Sequence, residues 1–235
     1  MRSIFVIVAI AVVTVVYATA VMIHMALFRD KDVFHTYARS WSRILLKLAG
    51  VRVELRGIGH LSVVERYIYV ANHASLFDIP VLLAHVPDNI RIMYKRELGA
   101  IPIFGWCLRM SPFIAIDRRK SREAADALEA VVATMRDGAS VVVFPEGTRS
   151  DDGRVGEFKR GAFTLAARSG KPLVPVALEG TAAIMPARGR RINPGTVVVH
   201  IERPVVLPQP ATRSDEMQAM QYVRTVIAEH VTLQS

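Results

Sequence analysis

The chain has 235 residues, of which 51% are hydrophobic, with a net charge of +9 and a single cysteine. One cysteine excludes an intrachain disulfide and a cysteine-based metal site, and the length fits one domain with an appendage. The histidines lack the spacing of metal ligands, so we predict no metal and no cofactor. The basic excess comes without a nucleic-acid motif. It favours anionic lipid, phosphate substrates or an acidic carrier protein as partners, and not nucleic acid.

An apolar run begins near the N-terminus. Residues 4–23 contain no charged side chain, and as a helix they would measure about 30 Å, enough to cross the hydrocarbon core of a membrane. A cleavable signal peptide is the competing interpretation, because residues 18–20 resemble a cleavage site. The run continues through that site to Phe28, which favours retention. If the run spans a membrane, the basic residues after it place the rest of the chain in the cytoplasm.

A second helix is predicted near residues 33–48, and it is amphipathic. Basic side chains lie on or near one side, and the apolar ones on the other are Phe34, Tyr37, Trp41, Ile44, Leu45 and Leu48. This pattern suits a membrane interface, and a helix that packs on the following domain has the same pattern. We therefore divide the chain into a membrane-associated helical segment, residues 1–48, and one domain, residues 49–235.

A histidine and an aspartate lie where a predicted strand, residues 67–71, leads into a predicted helix, residues 79–84. On a continuous helix the spacing of His73 and Asp78 would separate them by roughly 140°, whereas a turn lets them meet. An imidazole held by a carboxylate is the minimal unit that removes a proton from a hydroxyl. On this segment alone, a helix cap at Ser75 or Asp78 with a plain loop histidine fits equally well.

Polar residues also follow a second predicted strand, residues 140–144. They are Glu146, Gly147, Thr148 and Arg149. Glycine lets backbone N–H groups approach an anion, and a guanidinium can bind phosphate through two hydrogen bonds. Open α/β sheets bind ligands at the carboxyl ends of their strands. The segment predicts an anion-binding loop, with an ordinary polar turn as the alternative.

Helix and strand patterns alternate through the rest of the chain. Helices are predicted over residues 121–137, 158–169 and 215–231, and strands over residues 172–178 and 196–201. Strands separated by helices indicate an α/β fold with a mostly parallel sheet that is covered on its faces. The apolar neighbours of Cys107 favour a small buried residue over a catalytic thiol.

Together the two polar segments resemble the glycerophospholipid acyltransferase family, and most closely its 1-acyl-sn-glycerol-3-phosphate acyltransferases. The first family motif matches Asn72, His73 and Asp78, and the third matches residues 144–150 throughout. The second block looks like residues 95–118, and a fourth block looks like residues 174–176. All four follow the family order. Residues 110–112 depart from it, since family members often carry a glycine just before the Phe-Ile pair of the second block.

The resemblance implies an enzyme that transfers a fatty acyl group from acyl-coenzyme A or acyl carrier protein to the 2-hydroxyl of lysophosphatidate, giving phosphatidate. His73 would be the general base and Asp78 would fix its imidazole. Arg149, with its two preceding residues, would hold the acceptor phosphate, and the family adds a further arginine from the second block. The candidate residues for binding phosphate or glycerol are Lys95, Arg118, Glu146, Gly147, Thr148, Arg149 and Lys159.

The resemblance also implies a membrane enzyme of phospholipid biosynthesis, at a bacterial inner membrane, with residues 49–235 as its acyltransferase catalytic domain on the cytoplasmic face. In such a family the N-terminal helices can lie within one leaflet, so spanning and single-leaflet insertion both stay open. Two other functions also stay open. One is an acyltransferase for another lyso-lipid, such as a lyso-ornithine lipid, and the other is a non-catalytic, membrane-anchored lipid-binding protein. The intact pair of His73 and Asp78 argues against the second.

Overall fold

The structure is a computed structural model that describes residues 1–29, 33–116, 128–129, 131–135 and 138–231. Within these residues seven strands form one sheet in the order β1-β7-β6-β2-β5-β3-β4. Every neighbouring pair is parallel except β6 and β7, which are antiparallel. The strands are β1 (Val51–Arg56), β2 (Ile68–Ala71), β3 (Ile90–Lys95), β4 (Ile114–Ile116), β5 (Ser140–Val143), β6 (Leu173–Glu179) and β7 (Gly195–Ile201).

The centre of the sheet is occupied by β2, which pairs with β5 on one side and β6 on the other. All four of its residues are fully buried, because strands of a parallel sheet are covered on both faces and need apolar side chains on each. Side chains alternate along a strand. Accordingly Tyr69 and Ala71 enter one hydrophobic core, and Ile68 and Val70 enter the other.

Helices cover the two faces of the sheet. They are α1 (Arg2–Phe28), α2 (Val33–Ala49), α3 (Asp78–His85), α4 (Phe104–Met110), α5 (Gly161–Ser169), α6 (Thr181–Ile184) and α7 (Arg213–Val231). The first three contribute to the core that contains Tyr69, whereas α5 and α7 contribute to the core that contains Ile68. The α/β fold with a mostly parallel, covered sheet and an N-terminal apolar helix is therefore confirmed.

The sequence patterns located the central elements better than the peripheral ones. The predicted strand over residues 140–144 ends one residue earlier, and the helix predicted from residue 158 begins at Gly161. Of the helix predicted over residues 121–137, the described residues 128–129 and 131–135 are helical. The patterns did not identify β1, β3 or β4 as strands. Two of these, β1 and β4, lie at the edges of the sheet, where the apolar signal is weakest.

The first two helices pack side by side in opposite directions. At one end, Arg2 donates hydrogen bonds to the carbonyl oxygens of Ala49 (2.7 Å) and Ile192 (3.1 Å). Further along the two helices, the hydroxyl of Tyr17 in α1 forms a hydrogen bond of 3.0 Å with the hydroxyl of Ser40 in α2. The apolar side of α2 packs against α3 and the sheet, with residues such as Phe34, Leu45 and Leu46 buried. The amphipathic pattern of α2 therefore reflects the packing of its apolar side on the domain.

Candidate active site

Two loops meet at the carboxyl edge of the sheet. One leaves β2 at Asn72 and leads into α3, and the other leaves β5 at Phe144 and leads towards α5. Because β2 and β5 are parallel neighbours, their carboxyl ends lie side by side. The topology therefore brings together the two polar segments that the sequence singled out.

His73 and Asp78 are in direct contact within this loop pair. The Nδ1 atom of His73 lies 2.6 Å from Oδ2 of Asp78. The same oxygen accepts hydrogen bonds from the backbone N–H groups of Ala74 and Ser75, each at 2.8 Å. The side chain of Asp78 is fully buried and forms no hydrogen bond as a cap of α3, which begins after Phe77 without a side-chain cap. The capping interpretation is thus wrong for Asp78, and the predicted contact between the two side chains is present.

The orientation of the imidazole follows from its partner. A carboxylate only accepts hydrogen bonds, so Nδ1 of His73 carries the hydrogen and the lone pair lies on Nε2. The ring stacks on Phe144, with centroids 4.2 Å apart and planes 24° apart. The side chain is 16% exposed, which lets a reactant approach. The arrangement leaves Nε2 as the atom that can accept a proton.

Asn72 has a structural role that the sequence did not reveal. Its side-chain amide donates to the carbonyl oxygen of Leu178 (3.1 Å) and accepts from the N–H group of the same residue (2.7 Å). These bonds continue the pairing of β2 with β6 beyond Ala71, the last paired residue of β2. Because the Asn72 side chain replaces a pair of backbone hydrogen bonds between strands, it fixes the position at which the loop that carries His73 begins.

The loop after β5 holds the backbone of His73. Oε1 of Glu146 accepts the His73 N–H group at 2.8 Å, and the Ser150 N–H group donates to the His73 carbonyl oxygen at 2.7 Å. Oε2 of Glu146 accepts the N–H group of Gly156 at 3.0 Å. Burial raises the pKa of the Glu146 carboxyl, and the two backbone donors partly offset that rise. Both carboxylate oxygens are therefore engaged by the backbone, a role that the sequence did not predict for this residue.

The predicted phosphate-binding residues lie on the same loop. Gly147 has a φ of 74°, the left-handed region that favours glycine, and a Cβ there would come within 2.8 Å of Nζ of Lys159. Thr148 is exposed and lines a polar cavity with Glu146. Arg149 is half-buried, and no hydrogen bond or ion pair within the described residues engages its guanidinium. Two cationic side chains, Arg149 and Lys159, thus lie on or beside the glycine turn, and neither has an anionic partner among the described residues.

Two candidates from the second block are left, and Lys95 is the one that the structure describes. Lys95 ends β3, is exposed, and pairs with Glu97 at 3.4 Å. Arg118 lies outside the described residues. Among the residues that the structure describes, no group of three or more His, Cys, Asp or Glu side chains could hold a metal ion.

An apolar cavity lies between the N-terminal helices, α3 and α4. Ile79, the residue after Asp78, lines it together with residues of α1, α2, β3 and α4. Side chains from these elements include Tyr17, Phe34, Trp41, Ile92, Phe104 and Cys107. Burial raises the pKa of the Cys107 thiol to about 11, so that side chain is neutral at physiological pH. The cavity offers an apolar chain a place to bind, and one residue of its lining, Ile79, directly follows Asp78 in the chain.

Residues 52–179 match the family model described as Acyltransferase, which is more than half of the chain. The chain belongs to the Acyltransferase family. The match covers both loops of the site and ends at the last residue of β6. It leaves out α1, α2 and α7.

Similar proteins fit this membership. A chloroplastic 1-acyl-sn-glycerol-3-phosphate acyltransferase from Brassica napus is 36% identical over 86% of this chain and 57% of its own length. The human 1-acyl-sn-glycerol-3-phosphate acyltransferase alpha is 32% identical over 74% of this chain and 61% of its own. The chain thus spans about three-fifths of the length of these curated relatives. The crystal structure of the 1-acyl-sn-glycerophosphate (LPA) acyltransferase from Thermotoga maritima matches with a TM-score of 0.81 at 28% identity, covering 97% of this chain and 92% of that one.

Proposed function

We propose that the protein transfers a fatty acyl group from an acyl thioester to the 2-hydroxyl of 1-acyl-sn-glycerol 3-phosphate, giving phosphatidate. The observation that carries this proposal is the bond of 2.6 Å between His73 and Asp78, beside a loop with a free guanidinium and a cavity with apolar walls. The family membership and the names of the similar proteins support the same reaction. As an enzyme of phospholipid biosynthesis, it needs no cofactor beyond its donor substrate.

The geometry supports direct transfer. Nε2 of His73 takes the proton from the acceptor hydroxyl as its oxygen attacks the thioester carbonyl, and Asp78 stabilises the imidazolium that forms. The carbon–sulfur bond then breaks, and the imidazolium returns the proton to the departing thiolate. The new oxygen–carbon ester bond replaces the thioester, so no acyl-enzyme is required. Asp78 is suited to this role because its other two donors come from the backbone and stay in place.

The phosphate and the acyl chain would be bound by chemically different parts of the site. We propose that the guanidinium of Arg149, with the amides around Gly147 and the ammonium of Lys159, holds the acceptor phosphate. An acyl chain would occupy the apolar cavity that starts at Ile79. Acyl-coenzyme A and acyl carrier protein are both acyl thioesters, and the measured ratio of rates with each would assign the donor.

We also propose that α1 lies along one leaflet of the membrane. By length and composition it could cross a bilayer. However, Arg2 at its start and His24 near its end both contact the chain that follows: Arg2 bonds to Ala49, and His24 lies 3.4 Å from Tyr37. Because α2 packs on the domain throughout, a spanning α1 would break these bonds or draw the domain into hydrocarbon. An in-plane helix keeps them and presents its exposed apolar face to lipid, with the catalytic domain on the cytoplasmic side.

The proposed activity is tested with purified full-length protein in lipid vesicles. A radiolabelled acyl thioester is supplied with lysophosphatidate, with a lyso-lipid that lacks the phosphomonoester, or with no acceptor. Phosphatidate that forms only when lysophosphatidate is present supports the proposal. Free fatty acid without acceptor would indicate a thioesterase, and preferred acylation of the other lyso-lipid would overturn the substrate assignment. No turnover in any arm would indicate a lipid-binding protein.

A further inference from the structure

The C-terminal helix contacts the loop that supports His73. Arg224 of α7 donates from Nε to the carbonyl oxygen of Gly156 at 2.8 Å and from Nη2 to that of Val155 at 3.4 Å. Arg224 is exposed and lies well beyond residues 52–179, the part of the chain that matches the family model. Its two carbonyl partners belong to the loop between β5 and α5.

Three hydrogen bonds in series connect this arginine to the backbone of His73. Nε of Arg224 bonds to the Gly156 carbonyl oxygen (2.8 Å), the Gly156 N–H group bonds to Oε2 of Glu146 (3.0 Å), and Oε1 of Glu146 accepts the His73 N–H group (2.8 Å). Glu146, whose carboxylate joins the second and third of these bonds, is 8% exposed. A buried carboxylate with two backbone donors is sensitive to the loss of either one, because the remaining charge is then poorly compensated.

We infer that Arg224 is a positioning residue for the proposed reaction and acts on His73 through Gly156 and Glu146. This inference rests on the proposed function. Arg224 holds residues 155–156 inward, so that the Gly156 N–H group stays on Oε2 and Glu146 keeps the orientation that binds His73. A small displacement of the histidine lowers the rate of proton transfer, because that step depends steeply on geometry. Arg224 lines neither the apolar nor the polar cavity described above, so it should affect turnover and leave substrate binding almost unchanged.

The same helix supplies a matched control. Near its start, Glu216 accepts a hydrogen bond from Thr164 (2.8 Å) and pairs with Arg160 (3.2 Å), which ties α7 to α5. Glu216→Gln weakens the attachment of α7 without touching residues 155–156. It therefore reports what a looser helix does by itself. Arg224→Lys is the conservative variant, because an ammonium can still donate to the Gly156 carbonyl oxygen but lacks the second arm of the guanidinium.

The kinetic test uses full-length protein in vesicles with saturating donor. We expect Arg224→Ala to lower kcat about 3- to 10-fold, with KM for lysophosphatidate changed by less than about 2-fold. Arg224→Lys should recover part of the loss, and Glu216→Gln should leave kcat close to wild type. Unchanged kcat in Arg224→Ala, or an equal loss in Glu216→Gln, would overturn the inference.

A double-mutant cycle tests the route. Glu146→Gln breaks the series, because an amide cannot accept from two N–H groups on its two ends. In that background Arg224→Ala should change kcat by less than about 2-fold, since coupled residues are non-additive. Fully additive losses would show that Arg224 acts elsewhere.

A measurement without turnover separates this inference from the proposed function. Hydrogen exchange of the His73 amide should accelerate in Arg224→Ala and stay near wild type in Glu216→Gln, because only the first variant frees the Glu146 carboxylate. If wild-type protein does not acylate lysophosphatidate, the proposed function fails. The exchange result would still decide whether Arg224 holds His73 through Gly156 and Glu146. Equal exchange in both variants would reject the link even in an active enzyme.

Discussion

The loops around His73 and the outer face of α1 are held in opposite ways. At the site, Asp78 receives three hydrogen bonds on one oxygen, and the backbone of His73 is bound at both its N–H and its carbonyl group. On α1, outward side chains such as Val8, Val12 and Val16 are more than half exposed. The site is fixed by many internal hydrogen bonds, whereas the outward side chains of α1 lie mostly outside the packed core.

Substitutions in the two regions should therefore have different effects. Removing the imidazole of His73 leaves the hydrogen bonds to the backbone of this residue in place, so the chemistry should fail before the fold does. Changing the outer face of α1 removes nothing from the core, so the location of the protein should change before its stability.

The largest effect is expected from His73→Ala. We predict a loss of kcat of about 10² to 10⁴, the usual contribution of a general base, with a melting temperature close to wild type because the loop bonds to the backbone persist. Single-turnover kinetics and calorimetry measure the two quantities. Asp78→Asn should also lose activity, because the amide has no charge to stabilise the imidazolium. Its stability should fall as well, because the amide oxygen can keep the Ala74 and Ser75 N–H groups but its NH2 group then takes the buried position of Oδ1, which has no hydrogen-bond partner. Near-normal turnover in His73→Ala would reject the dyad.

The next effect concerns the phosphate site. A charge-assisted hydrogen bond contributes about 1.5 to 3 kcal/mol, so Arg149→Ala should lower kcat/KM for lysophosphatidate by about 10- to 150-fold. Use of a monoacylglycerol, which lacks the phosphate, should barely change. Arg154→Ala is the matched control, since this arginine lies on the same loop with its side chain 84% exposed. Equal losses on both acceptors would make Arg149 a structural residue of the turn.

The outer face of α1 gives a different outcome. We predict that the pair Val12→Lys and Val16→Lys weakens binding to neutral vesicles at least about 10-fold, because charges replace apolar groups that enter lipid. The melting temperature in detergent should stay near wild type. Substitution is a sharper test than removal of residues 1–48, which would delete Phe34, Leu45 and other buried core side chains and expose α3, against which α2 packs.

The control adds the same charges elsewhere. Val63→Lys with Val64→Lys changes two exposed residues of the loop before β2, 94% and 79% accessible. This variant should bind vesicles as wild type does. If both pairs release the protein equally, net charge and not the α1 face controls binding, and the single-leaflet arrangement loses its support.

The elements that the sequence predicted well are those with local signals. The contact of His73 with Asp78 follows from five positions of spacing across a turn, and β2 and β5 follow from short buried runs. The long-range supports had no such signal. Glu146 reaches a backbone amide 73 positions away, and Arg224 reaches Gly156 across 68 positions. An exposed arginine on a surface helix looks ordinary until the fold places a loop carbonyl beside it.

The same reasoning explains what the patterns missed at the periphery. Edge strand β1 alternates between exposed residues and residues that are at least partly buried. It therefore lacks the continuous apolar run that identifies β2 and β5, and a single sequence gives it little weight. The role of Asn72 was hidden for another reason. An amide that completes a strand pairing cannot be distinguished from a loop polar residue until the neighbouring strand, β6, is known.

The smallest effect is expected at Cys107, which lies on the wall of the apolar cavity and not in the bonded loops. Burial raises its pKa to about 11, so below that pH the side chain remains a thiol, and the thiolate that reacts with electrophiles forms only as pH approaches 11. Folded protein at pH 8 should therefore resist iodoacetamide, and unfolded protein should react. Cys107→Ala should keep most of kcat. Cys107→Ser should also turn over, with lower stability, because an unpaired hydroxyl in an apolar cavity costs about 1 to 3 kcal/mol. Abolished activity in well-folded Cys107→Ala would revive a covalent mechanism and shift the chemistry from the loops to the cavity wall.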